Sequence, residues 1–265
     1  MVGILALETE PTGAAQPDWK LSDSRQVAPT FGRAFVAVLR FLCVLAILSS
    51  VTSNLVRATE VRGTVTGSVD GLKDLMALFA GSKGVRAEFS ESRYLSILTE
   101  PIETGGILYF SPPDYLARYT SQPDASSIVT DGKQVTLRDR TGTKTIDLGS
   151  SELARELVSS FAVLLRGDLT ALNAGYEVEL YSGKGSDSLL TSPWILDLKP
   201  RSSEVRDFIE RTRVEGLGNR LTSMETLEKN GDRTLTTFSA VETGLEFDDE
   251  ELEHLFSFKD YDRSR

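Results

Sequence analysis

The sequence predicts a mainly β fold of the α+β class, in which one strongly curved antiparallel sheet is covered by two helices. Two observations predict it. Turn signals divide most of the chain after residue 84 into eleven short segments with strand character, and only two stretches of the mature chain show a clear helical period. Helices and strands do not alternate, which disfavours a Rossmann-like fold. We therefore expect successive strands to pair as antiparallel neighbours.

The first 58 residues differ in composition from the rest. Residues 1–30 are polar and irregular. Such a stretch is unusual ahead of the export signal that follows it, which suggests that the true start site lies further downstream. Residues 31–58 have the order of a secretory signal: charged residues, an apolar run, then small residues. These features are Arg33 and Arg40, the run Phe41–Leu48, and Val56 and Ala58 at the positions that a signal peptidase recognises.

This pattern predicts export to the periplasm with cleavage between Ala58 and Thr59. The alternative is an uncleaved membrane anchor over Ala34–Val51, which has about the length of a span but contains the costly Arg40. Cleavage would leave a chain of 207 residues, which we divide into a domain at 59–245 and an acidic tail at 246–265.

The first predicted helix runs from Ser68 to Ser82 and the second from Ser151 to Arg166, where Gly167 ends it. In both, apolar residues recur every three or four positions, so each helix has one face suited to packing on a sheet. These residues are Leu72, Leu75, Met76 and Phe79 in the first helix, and Leu153, Leu157, Phe161 and Leu164 in the second.

The predicted strands are separated by turn pairs such as Asp131-Gly132, and several alternate apolar with polar residues, as Tyr176 to Leu180 does. They cover residues 85–98, 105–111, 114–121, 126–130, 134–139, 143–147, 176–182, 188–199, 205–215, 219–229 and 232–241.

Charge and residue counts exclude several classes of site. Acidic residues outnumber basic ones by 39 to 29, a net charge of −10, which argues against a broad surface for nucleic acid. Loss of the leader would remove five basic and four acidic residues and leave −11. The single cysteine, Cys43, and the single histidine, His254, exclude an intrachain disulfide, a cysteine-rich zinc site and a multi-histidine metal centre. We expect no catalytic residues, no metal and no cofactor.

One constellation offers an alternative. Asp124, Asp131 and Lys133 have the order of a metal-dependent nuclease motif, in which two carboxylates hold a divalent ion. However, Asp131-Gly132 is also a standard hairpin turn, and an acidic exported protein lacks the basic groove that a nuclease needs. We favour the turn.

The segment from Gly105 to Leu137 carries a better match. It contains Gly106, an apolar strand, a proline turn at Pro113, an aromatic-rich strand, Gln122-Pro123-Asp124 and then Asp131-Gly132-Lys133. In this order the segment resembles LolA, the periplasmic carrier of outer-membrane lipoproteins. The likeness extends in order from Gly71 to Thr243.

The resemblance implies an incomplete barrel of about eleven strands, lidded by helices around an apolar cavity for acyl chains. It also implies a monomeric carrier that accepts lipoprotein or another lipid from an inner-membrane donor complex, delivers it to an outer-membrane acceptor and binds no nucleic acid. The candidate cavity residues are Phe89, Leu95, Ile97, Leu108, Phe110, Leu116, Tyr119, Ile128, Val135, Leu137, Trp194, Leu196, Leu198, Met224 and Phe238.

One position departs from the family. Where the family has an arginine before the proline of the first hairpin turn, this chain has Pro112, and Arg93 or Arg118 are the candidates to replace it. The departure leaves the cargo open between a lipoprotein and another lipid or glycolipid. A lipid- or protein-binding sensor on the same fold, which transports nothing, is the other hypothesis.

The leader gives a direct prediction. Protein recovered from the periplasm should begin at Thr59 by N-terminal sequencing, since the small residues Val56 and Ala58 direct the peptidase there. An N-terminus before Phe31 would contradict both the signal and the downstream start.

Overall fold

The structure is a computed structural model that describes residues 69–150, 152–182 and 192–256. The predicted N-terminal extension 1–30, the signal 31–58 and the cleavage site between Ala58 and Thr59 lie outside the described residues. No helix within the described ranges has the length and apolar character needed to cross a membrane.

The fold is one open antiparallel sheet of eleven strands, which confirms the predicted incomplete barrel. The strand order is β6-β5-β4-β3-β2-β1-β11-β10-β9-β8-β7, so β6 and β7 are the two edges. The strands are β1 Val85–Tyr94, β2 Ile102–Ser111, β3 Tyr115–Gln122, β4 Ser126–Thr130, β5 Gln134–Asp139, β6 Gly142–Asp147, β7 Tyr176–Ser182, β8 Pro193–Pro200, β9 Ile209–Leu217, β10 Arg220–Glu228 and β11 Arg233–Thr243.

Each of the eleven predicted strands corresponds to one of these: β4, β5 and β7 have the predicted bounds, and the ends of the others differ. The predicted start of β8 at 188 lies outside the described residues, and β8 begins at Pro193; β1 and β9 each differ by four residues at one end. The predicted strand at 85–98 ends at Tyr94, because residues 95–98 form a turn in which the Leu98 amide donates to the Leu95 carbonyl at 2.9 Å. The predicted strand at 205–215 begins only at Ile209, since the preceding residues form a short helix with Val205 buried.

Within the described residues, five α-helices accompany the sheet: α1 Val69–Ala80, α2 Glu152–Leu165, α3 Leu169–Gly175, α4 Ser203–Arg206 and α5 Asp249–Phe256. Helices α1 and α2 are the two that the apolar period predicts. The main core lies between α1, α2, α3 and the inner face of the sheet. In it, Phe79 of α1 meets Trp194 of β8 edge to face, with ring centroids 5.8 Å apart.

Gly167 sets the junction between α1, α2 and α3. It follows α2 with φ of +67°, and a Cβ at this position would overlap backbone atoms of Met76 and Ala80. Glycine is therefore needed twice here, for the left-handed backbone and for the close approach of α1. The next residue, Asp168, caps α3 by accepting from the Ala171 amide at 2.9 Å.

The acidic C-terminal segment allows a short closing helix or a solvated tail, and its charge favours the tail; the structure has the helix. Residues Asp249–Phe256 form α5, which packs on the outer face of the sheet near β3. A reciprocal capping box starts the helix: Asp248 accepts from the Glu251 amide at 2.8 Å, and Glu251 accepts from the Asp248 amide at 3.1 Å. Phe256 then buries its ring, leaving 6% exposed.

An aromatic cluster on the outer face holds α5 in place. The Phe256 ring contacts Tyr115 and Phe247 at centroid distances of 5.5 and 5.9 Å. The Tyr119 hydroxyl donates to the Leu255 carbonyl at 2.6 Å, which satisfies one of the free carbonyls at the helix end. The acidic run therefore covers apolar surface with one face and exposes its charges with the other.

Phe256→Ala should detach α5 while the sheet stays folded, because Phe-to-Ala changes in packed sites cost about 3–5 kcal/mol. Amide hydrogen exchange should speed up across 249–256 and remain slow in β1 and β11. The exposed substitution Glu250→Gln on the same helix is the control and should leave exchange in α5 near the wild-type rate. Equal protection of α5 in Phe256→Ala and in the wild type would contradict this packing.

Candidate functional site

The candidate site is a cavity between the inner face of the sheet and helix α2. About 1400 Å³ of space lies in this region, a figure that includes open solvent at the mouth. Strands on both sides of β1 contribute to its wall. Seven of the residues that the sequence proposes as cavity residues line it: Phe89, Leu108, Leu116, Ile128, Leu198, Met224 and Phe238. Whether these residues contact lipid stays a prediction.

Helix α2 closes one side of the cavity. Val158, Phe161 and Leu164 line it, and they follow one another at three-residue steps along one helix face. The Phe161 ring stacks on Phe238 of β11, with centroids 6.2 Å apart. Because Phe161 is only partly buried, this contact lies at the boundary between the core and the cavity.

Another part of the cavity lining is polar, beside further apolar residues such as Ile209 and Val214. We call this part the polar floor, and it consists of Glu91, Arg118, Thr212, Thr226, Glu228, Thr234 and Thr236. It arises because β1 keeps its inward alternation but changes chemistry along its length. The buried positions Val85, Ala87 and Phe89 are apolar, and the next two inward positions are Glu91 and Arg93.

Glu91 and Arg118 form the centre of the polar floor. Both terminal nitrogens of Arg118 donate to the Glu91 carboxylate at 2.9 Å, the two-pronged geometry that arginine and carboxylate prefer. The Thr236 hydroxyl donates to the same carboxylate at 2.9 Å. The guanidinium of Arg118 also lies over the Phe89 ring, 4.2 Å from its centroid. It thus links the polar floor to the seven apolar lining residues named above, which we call the apolar wall.

A second ion pair lies beside the first. Arg93 donates to Glu228 at 3.3 Å, and both side chains are buried. Burial raises the pKa of the Glu228 carboxyl above its ordinary value, and Arg93 opposes this rise. Thr212, Thr226 and Thr234 adjoin this pair as cross-strand partners on β9, β10 and β11.

The other predicted cavity residues lie elsewhere. Phe110, Trp194 and Leu196 are fully buried in the main core, and Val135 and Leu137 belong to a second core cluster with Leu148, Ala154 and Val158. Leu95 and Ile97 follow β1 in the loop to β2, where Ile97 is 86% exposed. Tyr119 points to the outer face, because alternation along β3 turns Leu116 and Arg118 inward.

Sequence reasoning missed the polar floor and the α2 residues that face it. Strand alternation could have found the former, since Thr212 precedes Val214 by two positions and Met224, Thr226 and Glu228 share one parity. A search for apolar residues alone passes over these positions. The same alternation assigns Arg118 to the cavity once Leu116 is placed there.

The structure also identifies the cation near the proline turn. Arg166, at the end of α2, forms an ion pair with Asp114 and donates to the Pro113 carbonyl at 3.5 Å. The candidates Arg93 and Arg118 instead pair with Glu228 and Glu91. Neither lies at this turn, because their strand positions direct them into the sheet interior; whether either takes over the role of the family arginine in cargo release stays a prediction.

The residues of the nuclease-like motif have structural partners. Asp131 accepts from the amides of Lys133 and Gln134, both at 2.9 Å, and so stabilises the β4–β5 turn. Asp124 pairs with Arg140 at 3.5 Å. Among the described residues, no group of three or more histidine, cysteine or acidic side chains could hold a metal ion. His254 lies exposed on α5.

Comparison with known proteins gives one family and several similar solved structures. The family model for "Outer membrane lipoprotein carrier protein LolA" matches residues 80–259. A LolA superfamily protein from Nitrosomonas europaea is 9% identical with a TM-score of 0.38, over 68% of this chain and 96% of that one. A DUF1329 family protein from Desulfovibrio piger is 15% identical with a TM-score of 0.39, over 71% and 98%. No curated protein matches.

Glu91→Gln should lower the free energy of unfolding by about 3–5 kcal/mol, because it leaves the buried charge of Arg118 without its carboxylate. The double variant Glu91→Gln/Arg118→Met should recover part of that loss, since both charges are gone. Urea unfolding of the three proteins measures both effects. A cost below about 1 kcal/mol for the single variant is the range of exposed ion pairs and would contradict this assignment.

Proposed function

The chain belongs to the family of the outer membrane lipoprotein carrier protein LolA, and on that premise we propose that it is a periplasmic carrier of acyl chains. In this role it binds the acyl chains of a lipoprotein or of another lipid in its cavity. It takes this cargo from a donor complex in the inner membrane and passes it to an acceptor in the outer membrane. It acts as a monomer and has no enzymatic activity.

The observation that carries the proposal is the apolar wall of the cavity beneath α2. Leu108, Leu116, Met224 and Phe238 present apolar surface from neighbouring strands, and Phe161 presents more from the helix. An acyl chain gains about 0.8 kcal/mol for each methylene that it moves from water into such a site. A chain of ordinary membrane length would therefore bind firmly without any covalent step.

The open sheet supports this role, because it can adapt the volume of the cavity. The eleven strands do not close, so α2 and its neighbours rather than further strands complete the wall. The contact between Phe161 and Phe238 is apolar and non-directional, and an acyl chain can replace either ring as the packing partner of the other. Cargo entry then exchanges one set of apolar contacts for another.

The carrier role is tested by lipid retention. Met224→Glu should abolish co-purification of lipid, because it places a carboxylate in the middle of the apolar wall. Native mass spectrometry of protein purified from periplasm would detect bound lipid in the wild type and its loss in the variant. Thr237→Glu is the matched control, since Thr237 is exposed and its strand neighbour Thr236 faces the cavity. It should retain lipid at the wild-type level.

A transfer assay separates a carrier from a sensor on the same fold. Loaded wild-type protein should deliver its lipid to acceptor outer-membrane vesicles, whereas a sensor would retain it.

Retention of lipid by Met224→Glu at wild-type strength would contradict the cavity assignment. Empty protein that cleaves DNA in the presence of magnesium would favour a hydrolase that uses Asp124, Asp131 and Lys133 instead.

A further inference from the structure

We propose that the cargo is an amphiphile with an uncharged, hydroxyl-bearing head group, which contacts the polar floor while its acyl chain lies against the apolar wall. This inference rests on the proposed function, which supplies the acyl chain, and adds the chemistry of the other end of the ligand. A cavity for acyl chains alone needs no polar groups. The polar floor of this cavity therefore suits a polar part of the ligand.

Every charged group of the polar floor is paired: Glu91 with Arg118 inside it, and Glu228 with Arg93, which does not itself line the cavity. Glu91 is engaged by both terminal nitrogens of Arg118 at 2.9 Å, and Glu228 lies 3.3 Å from Arg93. Two carboxylates thus face two guanidinium groups. An anionic head group would have to displace a carboxylate from its arginine, and a cationic one would have to displace an arginine. An uncharged head group can bind without breaking either pair.

The hydroxyl groups define what kind of uncharged head group fits. Thr212 pairs across the strands with Thr226, and Thr226 pairs with Thr234, so three hydroxyl-bearing side chains lie in a row. The Cβ atoms of neighbours in such a row are about 5 Å apart. Within the described ranges, the Thr212 and Thr226 hydroxyls make no side-chain hydrogen bond. Each can donate one and accept two, as a ligand hydroxyl can.

The same row disfavours an acyl chain laid along it. A methylene chain laid on Thr212 and Thr226 would remove their hydroxyls from water and offer no hydrogen bond in return, which costs free energy. Against the apolar wall the chain incurs no such cost. The cavity therefore distinguishes the two ends of an amphiphile and fixes its direction, with the head group at the threonine row.

Four probes with the same twelve-carbon chain test this: monolauroylglycerol, dodecyl glucoside, laurate and methyl laurate. Each would compete with a fluorescent apolar dye on the delipidated mature chain, at pH 8 and below its micelle concentration. We expect one or both hydroxyl-bearing probes to bind about tenfold or more tightly than laurate and methyl laurate, because each added hydrogen bond contributes to affinity. The comparison of the first two probes distinguishes a glycerol from a sugar head group.

The variant Thr212→Val/Thr226→Val keeps the side-chain shape and removes the two hydroxyls. It should weaken the preferred hydroxyl-bearing probe about tenfold and leave methyl laurate unchanged. Thr222→Val/Thr237→Val is the matched control, since both threonines are exposed on β10 and β11. This control should bind all four probes as the wild type does.

The outcomes separate this inference from the proposed function. Equal binding of all four probes would overturn the inference and leave the acyl carrier standing. Tightest binding of laurate would overturn it in favour of an anionic head group. Failure of every probe to displace the dye, together with absence of lipid from the periplasmic protein, would overturn the proposed function and this inference with it.

Discussion

The central constraint on this molecule is that a curved sheet left open must have its inner face covered by something other than strands. Helices α1 and α2 supply the cover, and Gly167 fixes the distance between them by allowing the backbone of α1 to approach. At Phe79 and Trp194 the cover is complete and the packing is dense. Toward Phe161 the helices cover the sheet incompletely, and the space left between helix and sheet is the cavity. The core and the cavity are thus two parts of one interface, which differ only in how closely helix and sheet meet.

The polar floor gives that interface a second property. Buried ion pairs contribute little net stability, because the loss of hydration offsets much of the attraction. Glu91 with Arg118 and Glu228 with Arg93 are therefore an unusual use of inward-facing strand positions, which in the adjoining rows carry Phe, Leu and Val. Because apolar side chains at these positions would often stabilise a fold as well as the ion pairs do, the proposed ligand gives a reason for the pairs that stability alone does not.

Most of the fold, but less of the site, can be predicted from the sequence. The alternation in Tyr176 to Leu180 and turns such as Asp131-Gly132 act locally, so the strands and their pairing follow from nearby residues. The cavity does not, because it depends on which inward positions α2 covers. Leu196 and Leu198 have the same parity on β8, yet only Leu198 lines the cavity. Net charge likewise conceals α5, where a capping box and Phe256 outweigh the acidic run.

The two edge strands of the open sheet bear on how copies of this chain behave toward each other. An unpaired strand offers free backbone groups to any passing strand, and proteins limit this with short edges and charged side chains. The edge strand β6 is six residues long and carries Lys144 and Asp147, while β7 presents Glu177 and Glu179. Two β7 edges brought together would align like charges. The sheet can therefore stay open without becoming a template for chain-to-chain polymerisation.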